Sequence, residues 1–137
     1  MSHSNIKQAL LQQLLTAVSA SDVAFENKKF TPSNKDLWYT AYYIPTVTEM
    51  MGKDYNSSDE QRGIFQISVF INANSDDYDN AQLQAIDTLL NTFRYNTNIV
   101  YNTQSVDILS ADVSSGRQSE SWYQRDISIN YLAFTQR

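Results

Sequence analysis

The chain has 137 residues, 42% hydrophobic and 18% charged, and no cysteine. That length suits one domain, and that apolar content supplies a packed core rather than a disordered tail. Without cysteine there is neither a disulfide framework nor a thiolate metal site, so burial of apolar surface within the domain or between subunits must supply stability. Ten Lys and Arg stand against fifteen Asp and Glu, a formal net charge of −5, and the pI is near 4.6. No basic stripe interrupts the acidic excess, so wrapping of nucleic acid is disfavoured. Residues 1–8 lack the basic and apolar segments of a signal peptide, and 10–20 is broken by Gln12, Gln13, Thr16 and Ser19. Neither a leader nor a membrane span is expected.

Ser4 is placed to cap a first helix. Its apolar positions Ile6, Leu10, Leu14, Ala17 and Val18, widened by Leu11 and Leu15, keep three-to-four spacing until the Ser19 to Asp22 cluster. A short run, Val23 to Glu26, precedes the turn Phe30-Thr31-Pro32-Ser33-Asn34. The aromatic-rich segment Leu37 to Ile44 then reads as a strand ending at Pro45, which cannot donate to a sheet ladder. Thr46 to Gln61 is polar and without period, and reads as a long hairpin arm or loop (46–61) whose length suggests a task beyond connection.

Gly63 to Ile71 alternates, with Phe65, Ile67, Val69 and Ile71 on the face assigned to the core. After a turn and capping segment, Asn72 to Asp77, the positions Tyr78, Ala81, Ala85, Ile86, Leu89, Leu90 and Phe93 mark one broad face of a second helix. The Asn-rich stretch Asn96 to Asn102 reads as a turn, because a chain with three Gly and two Pro must build turns from Asn, Asp and Ser. In Gln104 to Val113, Val106 and Ile108 share one parity while Leu109, Ala111 and Val113 take the other, which predicts a bulge near Ile108. The last strand, Ser121 to Phe134, sends Tyr123, Ile127, Ile129, Tyr131 and Ala133 inward and Gln124, Asp126, Ser128 and Asn130 outward. The order fits an α+β fold with a mostly antiparallel sheet flanked by two main helices, in one domain spanning 1–137.

Catalytic motifs are sparse. The one histidine, His3, lies at a terminus, which disfavours His-based triads and two-His metal sites. Glycine occurs only at positions 52, 63 and 116, so no phosphate-binding glycine loop is present. Asp76, Asp77 and Asp79 fail as a calcium loop, since starting at Asn72 puts Asp77 at the glycine position and Leu83 at the bidentate Glu position. Capping of the second helix by Asp77 or Asp79 is the simpler assignment. The carboxylate pairs Asp59 with Glu60 and Glu120 with Asp126 have nothing in the sequence to bring them together, so solvated charge is the default. No enzyme activity, cofactor or metal is expected.

Several features coincide in order. Phe30-x-Pro32 precedes Trp38 and its strand. A long polar loop follows, then Arg62-Gly63-Ile64-Phe65-Gln66-Ile67-Ser68-Val69-Phe70 and an amphipathic helix from near Tyr78. The chain closes on Trp122-Tyr123-x-Arg125-Asp126-Ile127-Ser128-Ile129-Asn130-Tyr131. This succession resembles the tail terminator, or tail completion, proteins of long-tailed bacteriophages over nearly the whole chain. Relatives often carry a Pro and Gly pair before the second helix where this chain has Asn72-Ala73-Asn74-Ser75-Asp76-Asp77, so contacts at that loop are not carried over. The resemblance implies a subunit that forms a ring, usually of six, on the head-proximal end of the tail tube in the virion, after assembly in the host cytoplasm. Its partners would be further copies of itself, the tail tube protein and a neck or head-completion protein. DNA would pass through the ring without specific binding, and no membrane is involved.

Two residue sets fit that picture. Trp38, Tyr39, Tyr42 and Tyr43 give the aromatic strand more apolar surface than one face can bury, which suits a subunit interface unless helices cover both faces. Met50, Met51, Asp54, Tyr55, Glu60 and Arg62 in and beside the long loop are candidate partner contacts, the methionines for their adaptability. Arg62 is placed to pair with Asp59, Glu60 or a neighbouring subunit. The alternative from another class is a small-ligand-binding or hydrolytic α+β domain with a pocket between helices and sheet.

Overall fold

A computed structural model of the chain describes residues 3–26, 29–30, 37–50, 58–72, 80–119 and 121–136. The three-to-four spacing of the first segment forms α1 (His3–Leu15), which buries Ile6, Ala9, Leu10 and Leu14. Ser4 lies inside this helix rather than at its cap, and Leu15 is 38% exposed because it falls off the buried stripe. The second helix, α2 (Asn80–Thr92), buries Ile86 and Leu89, with Phe93 just beyond its end. It also buries Gln82, a polar residue that the apolar pattern does not reveal. Tyr78, Asp77 and Asp79, and the capping assigned to them, lie outside the described residues.

Seven strands form one sheet: β1 (Val23–Phe25), β2 (Leu37–Met50), β3 (Ser58–Asn72), β4 (Asn98–Tyr101), β5 (Gln104–Val113), β6 (Arg117–Ser119) and β7 (Trp122–Gln136). Their spatial order is β1-β2-β3-β7-β5-β4, with β6 beside β7. Every pairing is antiparallel except β1 with β2. The fold is therefore α+β and mostly antiparallel, as the residue patterns predict. The parity switch in β5 is a bulge, with Ile108 opposite Tyr131 and Ser110 opposite Asn130, so Leu109 is the extra residue.

Three expectations need correction. Pro45 does not end β2. The strand continues to Met50 through an irregularity between Pro45 and Val47. The loop expected over 46–61 is largely strand, since Val47 to Met50 pair with Arg62 to Asp59, and β3 pairs onward with β7 from Ser58 opposite Gln136. Polar side chains on both faces hid these three-stranded arms from a search for apolar alternation; 51–57 lie outside the described residues. The stretch Asn96 to Asn102 also contains β4, which joins β5 through Asn102 and Thr103, both at positive φ (47° and 66°). Two positive-φ residues make the primed two-residue turn that matches strand twist. Asn96, at φ 68°, makes the bend before it.

One core holds the domain. Phe65, Ile67 and Val69 of β3, Ile127, Ile129 and Tyr131 of β7, and Val106 and Ile108 of β5 pack with Leu10, Leu14, Leu89 and Phe93 from the helices. Both helices share this cluster and touch each other, with Gln13 Nε2 donating to Thr92 O at 2.8 Å. Gln82 ties α2 down: its Nε2 donates to Val69 O at 2.8 Å and Tyr123 O at 3.1 Å, and its Oε1 accepts from Arg125 Nε at 3.1 Å. Among the described residues no helix covers the other face of the sheet, which settles how the surplus of aromatic residues is distributed.

Candidate functional site

Alternation along β2 divides its aromatic residues between two environments. Tyr39 points to the helix-covered face and is 5% exposed, so it belongs to the subunit's own core. Tyr43 shares that face, stacks on Tyr131 with centroids 5.8 Å apart, and has His3 Nδ1 at 2.6 Å from its hydroxyl. Burial raises the pKa of both Tyr39 and Tyr43, Asp22 adding to the rise at Tyr39.

Trp38 and Tyr42 point to the open face. There Trp38 stacks on Phe70 at 4.1 Å and 8°, meets Trp122 edge-on at 5.7 Å and lies 5.2 Å from Phe30. Its ring is occupied within the chain, although its buried Nε1 has no hydrogen-bond partner among the described residues. Of the four aromatic residues singled out in the sequence, Tyr39 is buried, Trp38 and Tyr43 are half-buried in ring contacts within the chain, and Tyr42 is 44% exposed.

The centre of the open face is polar, with Asp126 held by three donors while the buried Thr40 hydroxyl, in the same row as Ser68, has no hydrogen-bond partner among the described residues. Asp126, 8% exposed, accepts from Ser68 Oγ at 2.6 Å, Gln124 Nε2 at 2.8 Å and Arg117 at 2.8 Å. Burial opposes its ionisation. The hydrogen bonds from Ser68, Gln124 and Arg117, with the guanidinium charge, outweigh that and hold the carboxyl below its ordinary value. Its donors tie β3, β6 and β7 together, so the carboxylate serves as a fastening. Beyond this lane Ile44 is 38% exposed, and Phe134 on the same face is 46% exposed.

Toward the arm, Thr48 Oγ1 donates to Gln61 Oε1 at 2.8 Å and Gln61 Nε2 donates to Thr135 Oγ1 at 3.1 Å, a polar row across three strands. On the opposite face Arg62 pairs with Glu60 at 3.0 Å, one of the pairings that the sequence offers. Glu60 is 7% exposed while the Arg62 side chain is half exposed. Met50 is the last residue of β2, whereas Met51, Asp54 and Tyr55 lie outside the described residues, as does Glu120. Ile44 and Phe134 are surface positions that motif reading overlooked, and the period-two pattern of their strands was the signal that could have found them.

A mostly antiparallel sheet backed by two helices on one face, with no described helix on the other, defines a small α+β protein. Residues 5–131 match the family described as Phage tail terminator protein, and the chain belongs to that family. It is a family of structural proteins, which makes this chain a structural protein of a bacteriophage tail. No curated protein matches the chain. One solved structure, of a protein designated only by a sequence label, superposes with a TM-score of 0.73 at 23% identity, covering 97% of this chain and 96% of that one. That likeness is one of fold.

Proposed function

We propose that this protein caps the head-proximal end of the tail tube as a closed ring, its partners being further copies of the chain, the tube protein and a neck protein. Capping ends tube polymerisation because one axial face of the ring mates with the tube while the other offers no surface for a further tube ring. The carrying observation, beside family membership, is the sheet face that no described helix covers, where Tyr42, Ile44 and Phe134 stay exposed on the far side of the packed core. Exposed apolar groups on one face of a small domain are the material of protein contacts. The arm built from Val47 to Met50 and Ser58 to Arg62 supports an axial contact, with Met50, Met51, Asp54, Tyr55, Glu60 and Arg62 as its candidate residues. A formal charge of −5 per copy suits a channel through which DNA passes without adhering.

The small-ligand alternative draws little support. An open cleft of about 970 Å³ lies between the C-terminal end of α2 and the edge strand β5, walled by Leu90, Phe93, Tyr95 and Leu109, and it holds no cluster of buried polar side chains among the described residues. Electron microscopy of tube protein polymerised with and without this protein tests the proposal. Density at one tube end and a narrowed length distribution are expected. Binding along the tube wall, or tubes of unchanged length, would refute capping.

A further inference from the structure

The two sides of the sheet end in complementary edges. On one side β1 covers β2 only from Tyr39 to Ala41, and Glu26 Oε1 then accepts the Tyr43 N–H at 2.7 Å. Beyond that, no described strand lies along the outer edge of β2. Tyr43 faces outward, so Pro45, two residues on, also turns its nitrogen to this edge and removes no donor from the ladder with β3. The outer edge at Tyr43 and Pro45 therefore offers carbonyl acceptors and no free N–H.

On the other side β4 covers β5 only from Gln104 to Asp107, and Ile108 exchanges hydrogen bonds with Asn96 (2.9 Å) and Thr97 (3.0 Å). Past the bulge the edge is open among the described residues. Ser114 N–H donates inward to Asp126 O at 2.9 Å, so by alternation Ala111 and Val113 turn their N–H groups outward.

We infer that β2 of one copy, beyond Ala41, adds antiparallel to β5 (Leu109 to Val113) of the next, the sheet continuing from copy to copy around the ring. This rests on the ring reading given above. Direction supports it: β2, β3, β7 and β5 alternate, so β5 runs opposite to β2, and rotation about an axis along the strands brings them together antiparallel. Level supports it too, since one row of the sheet runs Ile44, Ile64, Asn130, Ser110. Donors on β5 meet acceptors on β2, whereas two β2 edges meeting at Tyr43 and Pro45 would oppose acceptor to acceptor, which disfavours a two-fold dimer centred there and favours a head-to-tail ring. Among the described residues, five of the eight exposed large apolar side chains lie on these two margins: Tyr42 and Ile44 on one, Tyr95, Val100 and Val113 on the other.

The absence of cysteine makes the test clean. The double variants Ile44→Cys with Ser110→Cys, and Ile44→Cys with Asp112→Cys, treated with a short bis-maleimide, are expected to give a ladder of covalent oligomers ending at the ring. Ile44→Cys alone should give none, and Ala111→Pro, which removes an outward donor, should abolish the ring in light scattering. A ring that forms without cross-linking in either pair overturns the edge pairing and leaves the ring reading standing. Cross-linked dimers from Ile44→Cys alone overturn it in favour of two β2 edges meeting. Absence of any ring, even with tail tubes present, overturns both readings.

Discussion

Replacing Gly63 by Ala tests how tightly the sheet is seated where the arm leaves it. Gly63 pairs with Pro45 on one side and Tyr131 on the other. A Cβ there would lie 2.5 Å from Ile44 O and 2.5 Å from the Tyr131 hydroxyl, with the ring Cζ at 2.8 Å. Gly63 is not at positive φ, so it is required for space rather than for backbone freedom. Neither neighbour yields readily: Ile44 O is backbone beside the β2 irregularity, and Tyr131 is 1% exposed and stacked on Tyr43. Overpacking of this kind costs about 1–3 kcal/mol. Alanine also restricts the unfolded chain, which returns about 0.4–1 kcal/mol. The net loss is about 1–2 kcal/mol, a fall in Tm of roughly 3–8 °C for a domain of this size. Thermal unfolding by circular dichroism measures it, and Gly63→Ala with Tyr131→Leu should recover only part, because the clash with Ile44 O remains. A single variant melting at or above the parent would refute the steric argument.

Gln82→Leu should cost about 1–3 kcal/mol in urea unfolding, since two carbonyls lose a donor and Arg125 loses an acceptor; an unchanged midpoint would show the clasp to be idle. Asp126 has a folded pKa below its ordinary value, so its stabilising contribution is present above the ordinary carboxyl range and is lost as pH falls through the folded pKa. Asp126→Asn should therefore lower stability at neutral pH and flatten the acid limb of stability against pH, and an unaltered limb would contradict that. Tyr42→Ser with Phe134→Ser should leave subunit stability within about 1 kcal/mol, two surface changes of about 0.5 each, while weakening assembly or capping. Loss of the fold instead would place these residues in the core.

The sequence discloses most where one face is apolar and the other polar. Phe65, Ile67, Val69 and Ile71 alternate without interruption, and the parity switch around Leu109 locates the bulge because every later side chain changes face. It discloses least where both faces are polar. Thr48, Gln61 and Thr135 satisfy one another across three strands, so the arm carries ladder pairing without an apolar signature. β4 is hidden for another reason, being four residues long and set among asparagines that also make the flanking turns.

The surplus of aromatic residues was legible in the sequence, and the place of each ring was not. An excess of aromatic residues in 37–44 is visible in the chain, but whether a ring is spent internally depends on Phe70, Trp122 and Tyr131, which only the sheet order brings alongside. Pro45 shows the same dependence most clearly. Read along the chain, a residue without an N–H ends a strand; read in the sheet, its nitrogen faces an edge where no described strand runs, and β2 passes through it. The property that suggested a terminus instead leaves the edge at Tyr43 and Pro45 without a free N–H, the ground on which we infer pairing with a donor-bearing strand from another copy.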